Sequence, residues 1–187
     1  MNITRRHLIG LGGGAAALLT MPAIIRAAEP FDIVMQGGKN GGHVWFDPIG
    51  LHIQPGDSVR WINMDKGNSH TATAYHPSLF DHPRRMPRNT KPWDSDYLLP
   101  GESFVFTFSK PGIYDYYCIP HEAAGMVGRI VVGSARNADW LRSGTGDKGV
   151  PEAALNMFPG IDAILGMGRV SIDGTETQQG GAAHAHS

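Results

Sequence analysis

Between residues 31 and 133, short runs of β-branched and aromatic residues alternate with turn dipeptides that pair proline with glycine. In one run Phe104, Phe106 and Phe108 recur at every second position, as expected for a strand with one buried face. The pattern predicts an all-β domain, and the number of strands favours a β-sandwich. The predicted strands are residues 32–35, 51–53, 58–63, 70–73, 103–108, 113–118 and 127–132.

Three segments interrupt this pattern. Residues 76–92 contain four prolines and predict a long ordered loop. Further along, short helices are predicted at residues 137–142 and 151–157, where Pro151 suits a first helical turn. The C-terminal residues are mostly Gly, Thr, Gln and Ala, and predict a disordered tail. The expected organisation is a signal segment at 1–28, a domain at 29–133, a short helical extension at 134–170 and the tail at 171–187.

The N-terminal segment indicates export. Arg5 and Arg6 precede an apolar run at residues 8–25. This arrangement resembles a twin-arginine export signal, with cleavage expected near Ala27 or Ala28. The alternative is an uncleaved membrane anchor, because about 18 apolar residues lie at the lower limit of spanning length. Both interpretations place the domain outside the cytoplasm, and we predict a periplasmic protein with no stable membrane insertion after cleavage.

Charge and cysteine content narrow the range of functions. The formal net charge is -1 at pH 7, which does not indicate the clustered basic surface that binding to nucleic acid requires. The chain has one cysteine, Cys118, so no intramolecular disulfide can form. Its thiol is therefore free, bound to a metal or paired with another chain.

The stretch CIPHEAAGM at residues 118–126 carries three side chains that can bind a metal. Cys118, His121 and Met126 follow the spacing Cys-x2-His-x4-Met at the exit of a predicted strand. Thiolate, imidazole and thioether form a soft donor set that suits copper in both oxidation states, especially when a second imidazole joins them. We expect His70 to supply that imidazole. Taken singly, a cysteine or a methionine is more often core filling than a ligand.

Several other histidines are assigned no ligand role. Surface histidine is common, so the residues in loops are expected to face solvent or to be structural, and the pair near the C-terminus is expected to be solvated. These residues are His43, His76, His82, His184 and His186.

The cysteine-containing stretch resembles the ligand loop of the small cupredoxins, the family of plastocyanin and pseudoazurin. The resemblance extends over roughly residues 31–133. It implies a Greek-key β-sandwich holding one type I (blue) copper per chain, with His70, Cys118, His121 and Met126 as ligands. Thr71 is a departure, because the family usually has an asparagine there that ties the two ligand loops together. A hydroxyl makes fewer hydrogen bonds than an amide, so the reduction potential cannot be inherited from the family.

The implied ligand set favours electron transfer over catalysis. Four protein ligands leave no vacant position on the metal, whereas a catalytic metal usually keeps one for water or substrate. We therefore predict a soluble electron shuttle, not an enzyme, that cycles between Cu(I) and Cu(II) with redox partner proteins. The resemblance implies that the electron leaves through the edge of His121, across a patch formed by Pro120, Ala123, Ala124 and Gly125. The alternatives are a copper carrier or reservoir, and a domain of a copper enzyme such as a nitrite reductase.

The proline-rich loop also contains a group of basic residues. Charged patches act mainly on the rate of encounter between proteins, so we predict that this group docks an acidic region of a redox partner. The alternative is that the charges are solvated or pair with Asp81, Asp94 and Asp96, which would contribute little to stability. The basic residues are Arg84, Arg85, Arg88 and Lys91.

Overall fold

In the computed structural model, which describes residues 28–38, 42–134 and 147–172, the strands form two sheets that enclose one main core. The predicted all-β sandwich with short helices near the C-terminus is confirmed. The export signal predicted at 1–28 lies outside the described residues except for Ala28. The helix predicted at 137–142 and the tail beyond Ile172 also lie outside them.

Two sheets can be traced through the described residues. The strands of the first are β1 (Phe31–Gly37), β2 (Val44–Asp47), β4 (Ser58–Asn63) and β6 (Ser103–Thr107). Those of the second are β3 (Gly50–Ile53), β5 (Thr73–Ala74), β7 (Gly112–Tyr117), β8 (Val127–Val132) and β9 (Arg169–Val170). The strand orders are β2-β1-β4-β6 and β5-β7-β8-β3-β9. The pairs β1 with β4 and β3 with β8 are parallel, and the other pairs are antiparallel.

One predicted strand has different bounds in the structure. The strand expected at 70–73 is reduced to Thr73–Ala74, and His70 makes only an isolated bridge with Leu98. The reason is local, because the backbone N–H of Ala72 donates to the side chain of Ser95 instead of joining a ladder. The strands β2, of four residues, and β9, of two, were not predicted.

Aromatic side chains fill the space between the sheets. Trp61 on β4 is fully buried, and its ring lies 5.4 Å from that of Tyr116 on β7. Trp93 stacks 5.8 Å from Trp61. The alternation predicted for β6 is confirmed, because Phe104 and Phe106 pack against the core while their neighbours face solvent. Each aromatic pair adds about 0.5–1.5 kcal/mol beyond the burial of its area, so the sandwich provides a rigid support for its loops.

The C-terminal extension packs on the second sheet. Its helices are α1 (Glu152–Met157) and α2 (Ile161–Met167), and the first agrees with the helix predicted at 151–157. Gly50 admits α2, because a Cβ atom at this position would lie 2.7 Å from the side chain of Ile164. The strand β9 then pairs with β3 and covers the edge of the sheet. Among the described residues, no helix is both long and apolar enough to cross a membrane.

The basic loop differs from the prediction at Arg85. This side chain is buried, and it donates to Asp115 at 2.9 Å and to Asp147 at 2.6 Å. Its guanidinium also lies 4.6 Å from the centre of the Phe158 ring. Arg85 therefore holds the loop to the sheet and to the extension, and its prediction as an exposed docking residue is wrong.

The exposed basic residues of this loop, Arg88 and Lys91, lie far from Cys118. The carbonyl of Asn89, between Arg88 and Lys91, accepts from Lys110 at 2.8 Å, close to the start of β7. Cys118 follows the other end of β7, and six residues of strand span about 20 Å. These charges are thus poorly placed to guide a partner to the cysteine end of the sandwich.

Candidate metal centre

Two loops meet at the cysteine end of the sandwich. Cys118 follows β7 and precedes a short 3₁₀ helix (Ile119–Ala124), in which Pro120 lies in the first turn. Gly125 ends this helix with φ 85°, a left-handed conformation that glycine adopts at little cost. The reversal lets the N–H of Met126 donate to the carbonyl of His121 at 3.1 Å, and the N–H of Cys118 donate to the carbonyl of Met126 at 3.0 Å.

Thr71 joins this loop to the one that carries His70. Its backbone N–H donates to the sulfur of Cys118 at 3.3 Å, and its hydroxyl accepts from the N–H of Ile119 at 2.9 Å. The hydroxyl also lies 2.9 Å from that of Thr73, which donates to Asp94. Thr71 must therefore donate to Thr73, so its single hydroxyl both accepts and donates. The tie expected of an asparagine is made here by threonine.

We expect Thr71→Val to loosen this tie, because valine keeps the shape of threonine but leaves the N–H of Ile119 without its acceptor. Because this hydrogen bond is only partly buried, its loss should cost about 0.5–1.5 kcal/mol. Urea denaturation of the copper-free protein measures the loss, and hydrogen exchange at the Ile119 amide locates it. The control Thr71→Ser keeps the hydroxyl and should preserve protection of that amide; equal protection in both variants would show that the hydroxyl of Thr71 does not hold the two loops together.

Three of the four predicted ligands converge. The donor atoms of His70, Cys118 and His121 all lie within 4.8 Å of one another. Nδ1 of His70 is 3.6 Å from the sulfur of Cys118, and Nδ1 of His121 is 3.4 Å from it. Both imidazoles thus present the same ring nitrogen to the sulfur. The His70 and Cys118 side chains are fully buried, whereas His121 is partly exposed.

Met126 lies in the same part of the core. It is fully buried and belongs to the hydrophobic cluster that contains Cys118. The hydrogen bonds described above place its backbone between those of His121 and Cys118. Its assignment as the fourth ligand stays a prediction.

The donor atoms fit a metal. With bonds of about 2.0 Å to nitrogen and 2.3 Å to sulfur, a trigonal metal places the two donors about 3.7 Å apart. The observed separations of 3.6 and 3.4 Å are close to this value. One thiolate and two imidazoles are also the donor set of blue-copper sites, in which a methionine is a weak axial ligand.

Burial controls the protonation of these side chains. It raises the pKa of Cys118 to about 11 in the metal-free protein, although the hydrogen bond from the Thr71 backbone opposes this. Burial also lowers the pKa of His70, although the neighbouring Asp65 acts to raise it. The pKa of His121 is lowered by burial and by the nearby His70. Both imidazoles are therefore favoured in the neutral form that binds metal, and Cys118 must release a proton when metal binds.

The sequence did not reveal Asp65. Its carboxylate lies 3.0 Å from Nε2 of His70, and both side chains are buried. The motif Asp-x-Gly-Asn at residues 65–68 indicates a turn, because an aspartate readily bonds to the backbone two residues ahead. That signal does not show that the same carboxylate also reaches the ring of a predicted ligand.

The histidines predicted to have no ligand role lie outside the cluster where the structure describes them. The ring of His43 lies 4.8 Å from that of Trp45, His76 hydrogen-bonds to Ser78, and His82 lies 3.2 Å from Glu122. Glu122 also accepts from the Tyr75 hydroxyl at 2.7 Å. His82 therefore has a structural role beside the 3₁₀ helix. His184 and His186 lie outside the described residues.

The predicted surface patch is only partly exposed. Pro120, Ala123 and Ala124 face solvent, but Gly125 is buried. A Cβ atom on Gly125 would lie 3.0 Å from Met157 of α1, so the extension covers this side of the loop. The prediction of Gly125 as part of the exposed patch is wrong.

Comparison with known proteins identifies the class of the site. A family model described as copper binding proteins of the plastocyanin/azurin family matches residues 33–133. The chain belongs to this family. Copper is accordingly its cofactor, and its cupredoxin fold is confirmed. Members of the family are electron-transfer copper proteins, and the chain is not an enzyme.

Individual relatives agree with this assignment. The chain is 32% identical over 135 residues to a pseudoazurin of Methylorubrum extorquens, which covers 71% of this chain and 80% of the relative. It is 33% identical over 123 residues to a chloroplastic plastocyanin of Physcomitrium patens, and the match covers 64% of this chain and 68% of the relative. A solved pseudoazurin structure from Sinorhizobium meliloti matches with a TM-score of 0.51 and 26% identity, over 75% of this chain and 99% of that chain.

Proposed function

We propose that this cupredoxin is a periplasmic electron-transfer protein that cycles one type I copper between Cu(I) and Cu(II). His70, Cys118, His121 and Met126 are the proposed ligands. The convergence of two imidazole nitrogens on one buried sulfur carries the proposal. When bound, copper supplies one-electron chemistry, and the four protein ligands leave no position for a substrate.

The surrounding residues support fast electron transfer by limiting movement of the ligands. Thr71 joins the two ligand loops, and α1 packs against the 3₁₀ helix through Gly125. A site held in this way can gain and lose an electron with little rearrangement. The sulfur of Cys118 also receives a backbone hydrogen bond, one of the contacts that tune the potential of such sites.

His121 is the proposed exit for the electron. It is partly exposed, whereas the other three proposed ligands are fully buried. The neighbouring Pro120, Ala123 and Ala124 are exposed and small enough to let a redox partner protein approach closely.

Copper storage or delivery is less well supported. Such functions favour exposed ligands that exchange readily, but the only histidine of the donor cluster with exposed surface is His121. Buried donors slow both uptake and release of a metal.

Spectroscopy and copper transfer test the proposal. The oxidised protein should show an intense visible band near the red end of the spectrum, which ascorbate bleaches and air or an added oxidant restores. Copper should then pass to an added chelator far more slowly than the electron passes to a small oxidant. Rapid loss to the chelator would favour the carrier, and absence of the band would contradict a type I centre.

The proposed location depends on the N-terminal sequence. Arg5 and Arg6 with the following apolar run support export by a twin-arginine route. Fractionation of cells should recover the protein from the periplasm, and sequencing of its N-terminus should find cleavage near Ala27 or Ala28. Retention of the intact N-terminus in the membrane fraction would favour the anchor.

We expect Met126→Leu to keep copper and its colour but to raise the reduction potential. The reason is that loss of a weak axial donor disfavours Cu(II) more than Cu(I). Voltammetry of the purified variant measures the shift. Leucine conserves volume in the core, so a change in stability should be small. A potential equal to that of the wild type would mean that Met126 only fills space.

A further inference from the structure

Asp65 is a buried carboxylate with two hydrogen-bond donors and the ring of His70 around it. Its Oδ1 accepts from the N–H of Gly67 at 2.8 Å. Its Oδ2 accepts from the side chain of Asn68 at 2.7 Å and lies 3.0 Å from Nε2 of His70. Both carboxylate oxygens accept hydrogen bonds, from the Gly67 N–H and from the Asn68 side chain, and bonds of this kind favour the ionised form. The side chain is therefore a negative charge held beside a proposed ligand.

The surrounding chain is built to keep Asp65 in this position. The buried side chain of Asn63 accepts from the backbone N–H of Asp65 at 2.9 Å and donates to the carbonyls of Asn68 and Leu98. Gly37 on β1 leaves room for this carboxylate, because any Cβ atom at this position would overlap it. Two strands of the first sheet thus contribute to the placement of one carboxylate.

The contact determines the tautomer of His70. An ionised carboxylate only accepts hydrogen bonds, so Nε2 of His70 must carry the hydrogen. The lone pair is then on Nδ1, the nitrogen 3.6 Å from the sulfur of Cys118. The hydrogen bond at one ring nitrogen commonly selects the nitrogen that binds metal in this way.

The negative charge of Asp65 also affects the reduction potential of the site. A negative charge near the metal stabilises Cu(II) relative to Cu(I), because the oxidised ion carries the larger positive charge. Screening by solvent and salt is weak here, since Asp65 and His70 are both buried. A residue of this kind therefore lowers the reduction potential.

We propose that Asp65 is a positioning residue of the copper centre, which fixes the ring of His70 with Nδ1 toward the metal and lowers the reduction potential. The inference rests on the proposed function, because it concerns the potential of the same site. A merely structural Asp65 would close the 65–68 turn through Gly67 and Asn68, and its charge would not affect the potential.

The first experiment needs no metal. In the copper-free full-length protein labelled with ¹⁵N at histidine, two-dimensional NMR should show His70 with its hydrogen on Nε2. The variant Asp65→Asn should shift this signal, because an amide oxygen is a weaker acceptor than a carboxylate. If the wild-type hydrogen is on Nδ1, the proposal is overturned, whether or not the variant folds.

The second experiment measures potential. In the copper-loaded Asp65→Asn variant we expect reduction to become at least tenfold more favourable, a shift of about 59 mV for a one-electron couple. The matched control is Glu102→Gln, which removes one negative charge from an exposed side chain in the neighbouring loop, where it accepts from the N–H of Leu99. Solvent should screen this change, so the control should shift far less.

The outcomes separate the two proposals. A larger shift in Asp65→Asn than in Glu102→Gln, with the Nε2 hydrogen in the wild type, supports the role of Asp65. Equal potentials in the two variants overturn it. Failure of the wild-type protein to become blue with Cu(II) would contradict the proposed function, and the tautomer would still decide whether Asp65 positions His70.

Discussion

Replacement of Cys118 by serine is expected to remove the intense visible band of the copper-loaded protein completely. The thiolate is the charge-transfer donor in a type I centre, and a serine hydroxyl does not ionise in the accessible pH range. The geometry makes the sulfur the common point of the site, with His121 Nδ1 at 3.4 Å and His70 Nδ1 at 3.6 Å. Absorption spectra of the oxidised variant, with copper content measured in the same sample, test this expectation.

Unfolding of the Cys118→Ser variant would also remove the visible band, so the fold must be checked. Serine is nearly the size of cysteine and still accepts the hydrogen bond from the N–H of Thr71, so near-UV circular dichroism should remain close to that of the wild type. The variant Met126→Leu is the contrasting control, since it should keep the colour. A folded Cys118→Ser protein that remained intensely blue would refute the proposed ligand set.

Local sequence patterns predicted much of the fold and part of the site. The strands β4, β7 and β8 were predicted within a residue or two, because each has a run of β-branched and aromatic residues ended by a turn. The spacing Cys-x2-His-x4-Met predicted a folded-back loop for an equally local reason, and Pro120 and Gly125 produce it. No local spacing indicates that His70 lies beside Cys118, because 48 residues separate them; His70 was chosen because a second imidazole was needed, and the family resemblance implied the same residue.

The remaining features depend on contacts between distant parts of the chain. Arg85 was predicted to be exposed because its neighbours in sequence are basic and prolines surround it. Its partners Asp115 and Asp147 are 30 and 62 residues away, and no local pattern indicates them. Asp65 was missed for a different reason, since a turn explains its presence without reference to His70.

The extension shows the same limit. Pro151 correctly indicated a short helix, but a helix of six residues has little stability of its own. Its position is determined by the burial of Ala154 and by contact with Gly125, so it depends on the ligand loop on which it packs. The contacts of residues 147–172 with the second sheet and the ligand loop are made by residues far apart in the sequence.

Asp115 lies at the centre of the contacts that hold the extension. It is buried on β7 and accepts two hydrogen bonds from Arg129, at 2.7 and 2.9 Å, as well as that from Arg85. The two guanidinium groups lie 4.6 and 5.0 Å from the centre of the Phe158 ring. Arg129 also donates to the carbonyl of Pro159 at 2.9 Å. Asp115 therefore bridges two cations between the sheet and the extension, and Asp147 supplies a second negative charge to Arg85.

We expect Asp115→Ala to lower the free energy of unfolding by about 3–5 kcal/mol, because the largely buried Arg129 loses the carboxylate it contacts and Arg85 keeps only the exposed Asp147. The matched control is Asp32→Ala. Asp32 accepts a similar pair of hydrogen bonds from Arg60, at 2.7 and 2.9 Å, but both side chains are more than a third exposed. The control should therefore cost no more than about 1 kcal/mol. Urea denaturation of both variants, copper-free, gives the comparison. If the two variants lost similar free energies of unfolding, the buried Asp115 network would stabilise the protein no more than the exposed pair does. The extension would then be held mainly by its apolar contacts.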